Sequence, residues 1–208
     1  DVCRIIDLSC GCGGFLVDMA RKMKERSNKT YKQIFSENIY GIDVQGYAIE
    51  RTKILLSLLA LSMGEDDEFS YNLWSANTLN FNFQEKFRPY HGFDIIIGNP
   101  PYVCSRNLPQ ETKEIIKKWS VCSTGHPDLY IPFFQVAIEN LSSNGVMGYI
   151  TMNSFLKSVN GRALREYFNT LHKLIHIIDF RGRQIFQSKN TYTCLFFAEN
   201  KKSDYLYY

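Results

Sequence analysis

Asp7-Leu8-Ser9-Cys10-Gly11-Cys12-Gly13-Gly14 sits between a short β-branched run at residues 3–8 and a stretch at 14–26 whose apolar residues recur at helical spacing. Strand, glycine-rich turn and helix in that order open a βαβ unit. Several glycines let a ligand approach the backbone closely, and the start of the next helix offers free N–H groups to an anion. A dinucleotide fingerprint would need glycine three residues after Gly13, where the chain has Leu16, which weakens that reading. A phosphate-binding P-loop would close on Gly-Lys-Ser or Gly-Lys-Thr, but Gly13-Gly14 is followed by Phe15, so that reading fails. The acid at the head of the loop suits a ligand with a cationic amino group: Asp7 can pair with an ammonium while the amides of Gly11 and Gly13 meet a carboxylate. Taken alone, Asp7 and its glycines also read as turn formers.

Outward from this loop the alternation continues. Strand-like runs are expected at 3–8, 39–43, 69–73, 93–98, 146–151, 174–180 and 192–198. Helical spacing at 14–26 and 45–63, the latter carrying Ile49, Ile54, Leu55, Leu58 and Leu59, separates the early strands. A further helix is expected at 129–141 with Asp128 as its N-cap, and Asn144-Gly145 as a turn into the fifth strand. The pattern predicts an α/β fold with a seven-stranded, mostly parallel sheet, right-handed crossovers and helices on both faces, with ligands beyond the carboxyl ends of the strands.

With 208 residues the chain suits one domain, and 45% hydrophobic against 22% charged residues is an ordinary globular balance that excludes disordered and fibrous classes. No apolar run reaches the length a bilayer requires, and no secretory signal opens the chain, so a cytoplasmic location and no membrane partner are expected. Six cysteines lack CxxC spacing and the histidines lack ligand spacing, so neither a zinc site nor a disulfide framework is expected. A net charge of +3 permits a polyanionic partner without demanding one.

Asp43 ends the second strand in Gly41-Ile42-Asp43-Val44, where a carboxylate can accept both ribose hydroxyls and Val44 can cover an adenine face; alone, Asp43 reads equally as a helix N-cap. After the third strand Asn77, followed by Thr78, can meet an adenine edge through its amide, although alone it reads as a turn residue. The most specific feature is Asn99-Pro100-Pro101-Tyr102, directly after the apolar run Phe93-Asp94-Ile95-Ile96-Ile97-Gly98. An exocyclic aromatic amine is a poor nucleophile because its lone pair is delocalised into the ring. Two acceptors, the Asn99 side-chain oxygen and the Pro100 carbonyl, can take the amino protons and aim that lone pair, while consecutive prolines stiffen the backbone and contribute no competing N–H. Methyl transfer from a sulfonium is an in-line displacement governed by alignment and electrostatics, so it needs no metal. Tyr102 would stack on a base flipped out of its duplex.

These motifs resemble those of the gamma-type amino-methyltransferases, specifically the Eco57I and TaqI-like adenine-N6 DNA methyltransferases of type II restriction-modification systems. Asp7 to Leu16 is similar to that family's first cofactor motif, with Leu8 and Cys12 replacing its usual Pro and Ser; at the third motif, Asn77 stands where many relatives have Asp. Asp128-Leu129-Tyr130 through Phe134, Gly145 to Ile150 and Asn153-Ser154-Phe155 resemble later motifs. The segment from Asp179 to Phe186, followed by Thr191-Tyr192-Thr193, is similar to the one whose aromatic residue packs on the flipped base. Phe186 is the choice and Phe180 its competitor, and either also reads as core packing.

The resemblance implies a Rossmann-like methyltransferase fold over residues 1–208 and S-adenosyl-L-methionine held by Asp7, Cys10, Gly11, Gly13, Phe15, Asp43, Val44, Asn77, Thr78 and Asn99. It implies catalysis at Asn99, Pro100, Pro101 and Tyr102, base stacking by Tyr102 and Phe186, and double-stranded DNA with a flipped adenine as partner, in a bacterial or archaeal cytoplasm. It also implies an upstream cofactor-closing segment and a downstream target-recognition domain, with any nuclease outside this chain, since no acidic-acidic-lysine arrangement follows Asp128 or Glu139. Arg106, Lys113, Lys117 and Lys118, with Arg181, Arg183 and Lys189, are candidate phosphate contacts. A methylase acting on RNA or on a protein glutamine amide, and a catalytically silent DNA-binding module, are the alternatives.

Overall fold

A computed structural model describes residues 3–88, 90–181, 192–203 and 205–208. Its strands are β1 (Ile5–Asp7), β2 (Ile39–Asp43), β3 (Asn72–Ser75), β4 (Phe93–Gly98), β5 (Leu141–Met152), β6 (Lys173–Asp179), β7 (Thr193–Lys202) and β8 (Leu206–Tyr207). They form one sheet in the order β3-β2-β1-β4-β5-β7-β6-β8. All pairings are parallel except those of β7, which runs antiparallel to both β5 and β6. The helices are α1 (Gly14–Arg26), α2 (Tyr31–Glu37), α3 (Gly46–Ser62), α4 (Phe83–Lys86), α5 (Gln110–Ile116), α6 (Tyr130–Glu139) and α7 (Arg162–Leu171).

Why β1 carries no polar face follows from its place. It pairs with β2 and β4, helices cover both sides, and Ile5, Ile6 and Asp7 are all buried. Successive residues enter opposite cores. Ile5 packs with Leu16 and Ala20 of α1, Ile34 and Phe35 of α2, and Leu56 and Leu59 of α3. Ile6 belongs to the larger cluster built on α6, where Phe134 meets Phe196 edge-on at 4.8 Å and also touches Phe155 and Phe168. β1 and β4 run parallel, but the order in which successive strands are added reverses between them, which creates a crevice at their carboxyl ends.

Four expectations shift. The sheet has eight strands rather than seven, because the short β8 adds to β6. The third strand is β3 at Asn72–Ser75, not 69–73: Phe69 and Tyr71 spend their rings on Phe35 of α2, and pairing with Tyr40 begins only at Asn72. The fifth strand starts at Leu141, and Asn144-Gly145 lies inside it as an irregularity against Phe93–Ile95; a Cβ on Gly145 would stand 2.6 Å from the Phe93 carbonyl oxygen. Asp128 does not cap α6. Leu129 is the N-cap without a side-chain bond, and the Asp128 carboxylate instead accepts the Ser105 N–H at 3.0 Å.

Candidate active site

The loop after β1 is held in shape by its own polar groups. Gly13, at φ 77°, is the left-handed N-cap of α1, and a Cβ there would stand 2.5 Å from the Thr52 side chain. Thr52 donates to the Gly11 carbonyl at 3.0 Å, the Gly11 N–H donates to Asp43 Oδ2 at 2.8 Å, and the Cys10 N–H donates to the Ile42 carbonyl. Thr78, itself buried, donates to the Leu8 carbonyl at 2.6 Å. Around Gly11 and Gly14, by contrast, a Cβ would meet nothing within 4 Å, so the exposed side of the backbone faces open space.

Asp7 stands at the bottom, 1% exposed, its carboxylate accepting the Ser9 N–H at 2.9 Å and pressed so closely by Gly98 that a Cβ there would lie 2.7 Å from Oδ1. Burial pushes its carboxyl up to about 7, with the Ser9 N–H pulling down and the Asp43 carboxylate adding to the rise. A buried acid with so high a value is suited to receive a cation, which would stabilise its charged form.

Opposite it, at the end of β4, Asn99 is exposed while Pro100 is buried beneath it. Ser9 Oγ donates to the Asn99 main-chain carbonyl at 3.3 Å and ties the two loops together. Among the described residues no hydrogen bond engages the Asn99 side-chain amide or the Pro100 carbonyl oxygen. Asp7, Cys10, Gly11, Phe15 and Asn99 line one open cleft of about 520 Å³. Ser9, Gly14 and Asp18 also line it and were not singled out in the sequence. Asp18 could have been found from Phe15, three residues earlier on the same face of α1.

The remaining candidates are not among the residues that line this cleft. Asp43 gives one carboxylate oxygen to Gly11 and the other to the Gln45 N–H, so it joins the loops after β1 and β2, and Val44 beyond it is 65% exposed. The Asn77 side-chain oxygen accepts the Leu79 N–H at 3.0 Å and caps a short 3-10 turn. Tyr102 is half-buried: its hydroxyl donates to the Ile150 carbonyl at 3.0 Å and its ring sits edge-on to Tyr130, with burial raising the phenol. The Gly11 N–H is spent on Asp43 and the Gly13 N–H on the Cys10 carbonyl at 2.8 Å, so neither amide is free for a carboxylate as the sequence suggested; with the buried Asp7 carboxylate for an ammonium and the N–H groups that open α1 at Gly14 and Phe15 for a carboxylate, the set still suits S-adenosyl-L-methionine.

Residues 37–186 match the family described as Eco57I restriction-modification methylase, a span running from β2 through β6 and including Asn99 to Tyr102. The chain belongs to the Eco57I methylase family. It is 26% identical to the type II restriction enzyme and methyltransferase RM.Eco57I of Escherichia coli, over 97% of this chain and 25% of that protein. It is 29% identical to the type II methyltransferase M.BstVI of Geobacillus stearothermophilus, over 97% of this chain and 38% of that protein. The chain therefore spans between a quarter and two fifths of these relatives. A Listeria monocytogenes structure described as a class I S-adenosylmethionine-dependent methyltransferase superposes with a TM-score of 0.66, covering 97% of this chain and 54% of that one at 15% identity. That likeness establishes the fold.

Within this Eco57I-family chain, Phe186, Arg183 and Lys189 lie outside the described residues. Phe180, the competitor of Phe186, is half-buried just after β6. Nearby, Asp179 accepts hydrogen bonds from the Asn153 side chain, the Arg181 N–H and the Tyr208 hydroxyl, which gathers two of the later motifs at one corner. Arg106, Lys113 and Lys117 border a groove after the Asn99–Tyr102 loop, and Lys118 does not. Among the described residues no three His, Cys, Asp or Glu side chains are placed to hold a metal, and no helix is long and apolar enough to cross a membrane.

Proposed function

We propose that this chain is the catalytic domain of a restriction-modification methyltransferase that moves a methyl group from S-adenosyl-L-methionine to the N6 amino group of adenine in double-stranded DNA. One observation carries the reading. Two hydrogen-bond acceptors are free among the described residues: the side-chain oxygen of Asn99, a residue that lines the cleft together with Asp7, and the carbonyl of Pro100, the next residue along. The cofactor supplies an electrophilic methyl on a sulfonium. Asp7 would hold its ammonium, the N–H groups that open α1 at Gly14 and Phe15 would receive its carboxylate, and Asp43, Val44 and Asn77, with Thr78 buried behind them, would face its nucleoside. Asn99 and Pro100 would accept the two amino protons of adenine, so that the nitrogen lone pair faces the methyl carbon. Methyl transfer would leave the C–S electron pair on sulfur and form one N–C bond, and the proton the amine sheds would pass to water in the open cleft. Tyr102, anchored to β5 through its hydroxyl, would offer a ring to the flipped base, with Phe186 from the later segment as a second surface. Membership of a restriction-modification methylase family supports DNA as the substrate, and no observation favours RNA or a protein amide over it.

The test is incubation of the full chain with methyl-labelled cofactor and, in separate arms, duplex DNA, RNA and a glutamine-bearing protein. Label recovered as N6-methyladenine from the duplex arm is the expected result. Label in either other arm, or no cofactor affinity by calorimetry, overturns the proposal.

A further inference from the structure

Beyond the Asn99–Tyr102 loop lies a second concavity, a groove of about 750 Å³ bordered by Cys104, Arg106, Lys113, Lys117, Cys122 and His126. Its shape follows from local structure. The Val103 carbonyl accepts the Leu129 N–H at 2.9 Å and Asp128 accepts the Ser105 N–H, so the chain leaving the active loop is pinned to the start of α6. On the far side Ile115 and Ile116 of α5 are buried, which turns Gln110, Lys113 and Lys117, spaced three and four residues apart, toward the groove. The wall at His126 is fixed by its N–H donating to Asn160 at 3.0 Å.

Three features define what would fit. Among the described residues Arg106 and Lys113 have no ion-pair or hydrogen-bond partner, whereas Lys117 is held by Glu114 at 2.8 Å. Among the described residues no aspartate or glutamate borders the groove. Among the described residues no phenylalanine, tyrosine or tryptophan borders it either, and His126 is its one ring, so it offers little of the stacking surface that recognition of a run of bases would use. Positive charge with neutral donors and a single small ring suits a phosphodiester backbone better than a base. Distance argues for the backbone of the substrate itself. Cys104 follows Asn99 by five residue steps, an upper reach of about 18 Å, and phosphates follow one another on a strand at about 3.4 Å of helix axis.

The geometry points to this groove as the seat of DNA backbone phosphates within a few nucleotides of the adenine, with Arg106 and Lys113 as the neutralising cations. This rests on the methyl-transfer reading above only for the identity of the nucleic acid. The contact is sequence-independent, so it sets how firmly the strand is held and not which sequence is chosen.

Two measurements on the full chain test it. The first is the salt dependence of duplex affinity for wild type and the Arg106→Ala/Lys113→Ala variant, with thermal melting and cofactor binding confirming the fold and Lys22→Ala as a control from exposed α1. The slope of log K against log salt is expected to shrink by about 2 in the double variant, equally on target and non-target duplexes, and to stay unchanged in the control. The second needs no variant: the rate at which iodoacetamide alkylates each cysteine, with and without duplex, read by peptide mass spectrometry. Cys104 is half-buried at the groove and Cys3 lies at the opposite end of β1, so DNA is expected to slow Cys104 severalfold and leave Cys3 unchanged. An unchanged slope together with unprotected Cys104 overturns the inference even if the protein methylates DNA. Protection by RNA or by inorganic phosphate but not by duplex also overturns it. Failure of methyl transfer with slope and protection intact would instead strike the catalytic reading and leave the groove standing.

Discussion

The loops after β1 and after β4 face each other across one cleft, and they are built in opposite ways. In the first, nearly every polar group is spent on the protein: Asp43 holds the Gly11 N–H, Thr52 holds the Gly11 carbonyl, Thr78 holds the Leu8 carbonyl and Ser9 holds Asp7. In the second, two buried or half-buried prolines fix the backbone, and the Asn99 amide is left uncommitted among the described residues. On the proposed reading one loop is a receptacle and the other presents hydrogen-bond acceptors to the amine. Substitutions in the first should therefore damage binding and stability, and substitutions in the second should damage turnover.

The sharpest way to break this contrast is Asn99→Ala. Loss of one aligned acceptor is expected to lower kcat on the order of a hundredfold or more, while cofactor affinity by calorimetry stays within about twofold. A matching loss of cofactor affinity would show that Asn99 belongs to the receptacle instead. Gly13→Ala should behave in reverse. A left-handed alanine costs about 1–2 kcal/mol before the clash with Thr52 is counted, so urea unfolding should show a loss of at least that size, with weakened cofactor binding.

Asp7 sharpens the comparison through pH. Its folded value of about 7 lies above the ordinary 3.8, so the protonated form stabilises the fold at low pH, and that contribution is lost as pH rises toward 7 and flattens above it. Asp7→Asn should remove this part of the pH dependence, seen as the difference between wild-type and variant Tm from pH 4 to 8. A ligand ammonium needs the carboxylate, so wild-type cofactor affinity should climb with pH up to about 7 and then level, and the variant should show neither the climb nor the affinity. The smallest effect belongs to Tyr102→Phe. It removes the bond to the Ile150 carbonyl and should cost about 1 kcal/mol of stability with kcat changed only a few-fold, because the ring remains.

How far the sequence carried the reading depended on whether a signal was local. β1, β2 and β4 were legible because central parallel strands are short, apolar and followed by glycine or by Asn-Pro-Pro, and the cleft residues Asp7, Gly11 and Asn99 came with them. The third strand slipped because aromatic residues signal strand and core alike, and Phe69 and Tyr71 serve the core beside α2. Asn144-Gly145 reads as a turn in any local window, and only pairing with Phe93–Ile95 shows it to be a bulge. Asp128 has the composition of a cap but is claimed by Ser105, 23 residues earlier, a contact no local rule contains. The buried state of Asp7 was hidden for the same reason: Gly98, which closes over it, is 91 residues away.

The central claim is spatial, and a structure of the chain with S-adenosyl-L-methionine or its demethylated product tests it most directly. The account predicts the methionyl ammonium on Asp7 and the sulfur turned toward Asn99, with the methyl position about 3–3.5 Å from where an amine bonded to Asn99 and Pro100 would sit. A cofactor seated elsewhere, or one whose sulfur faces away from Asn99, would contradict it.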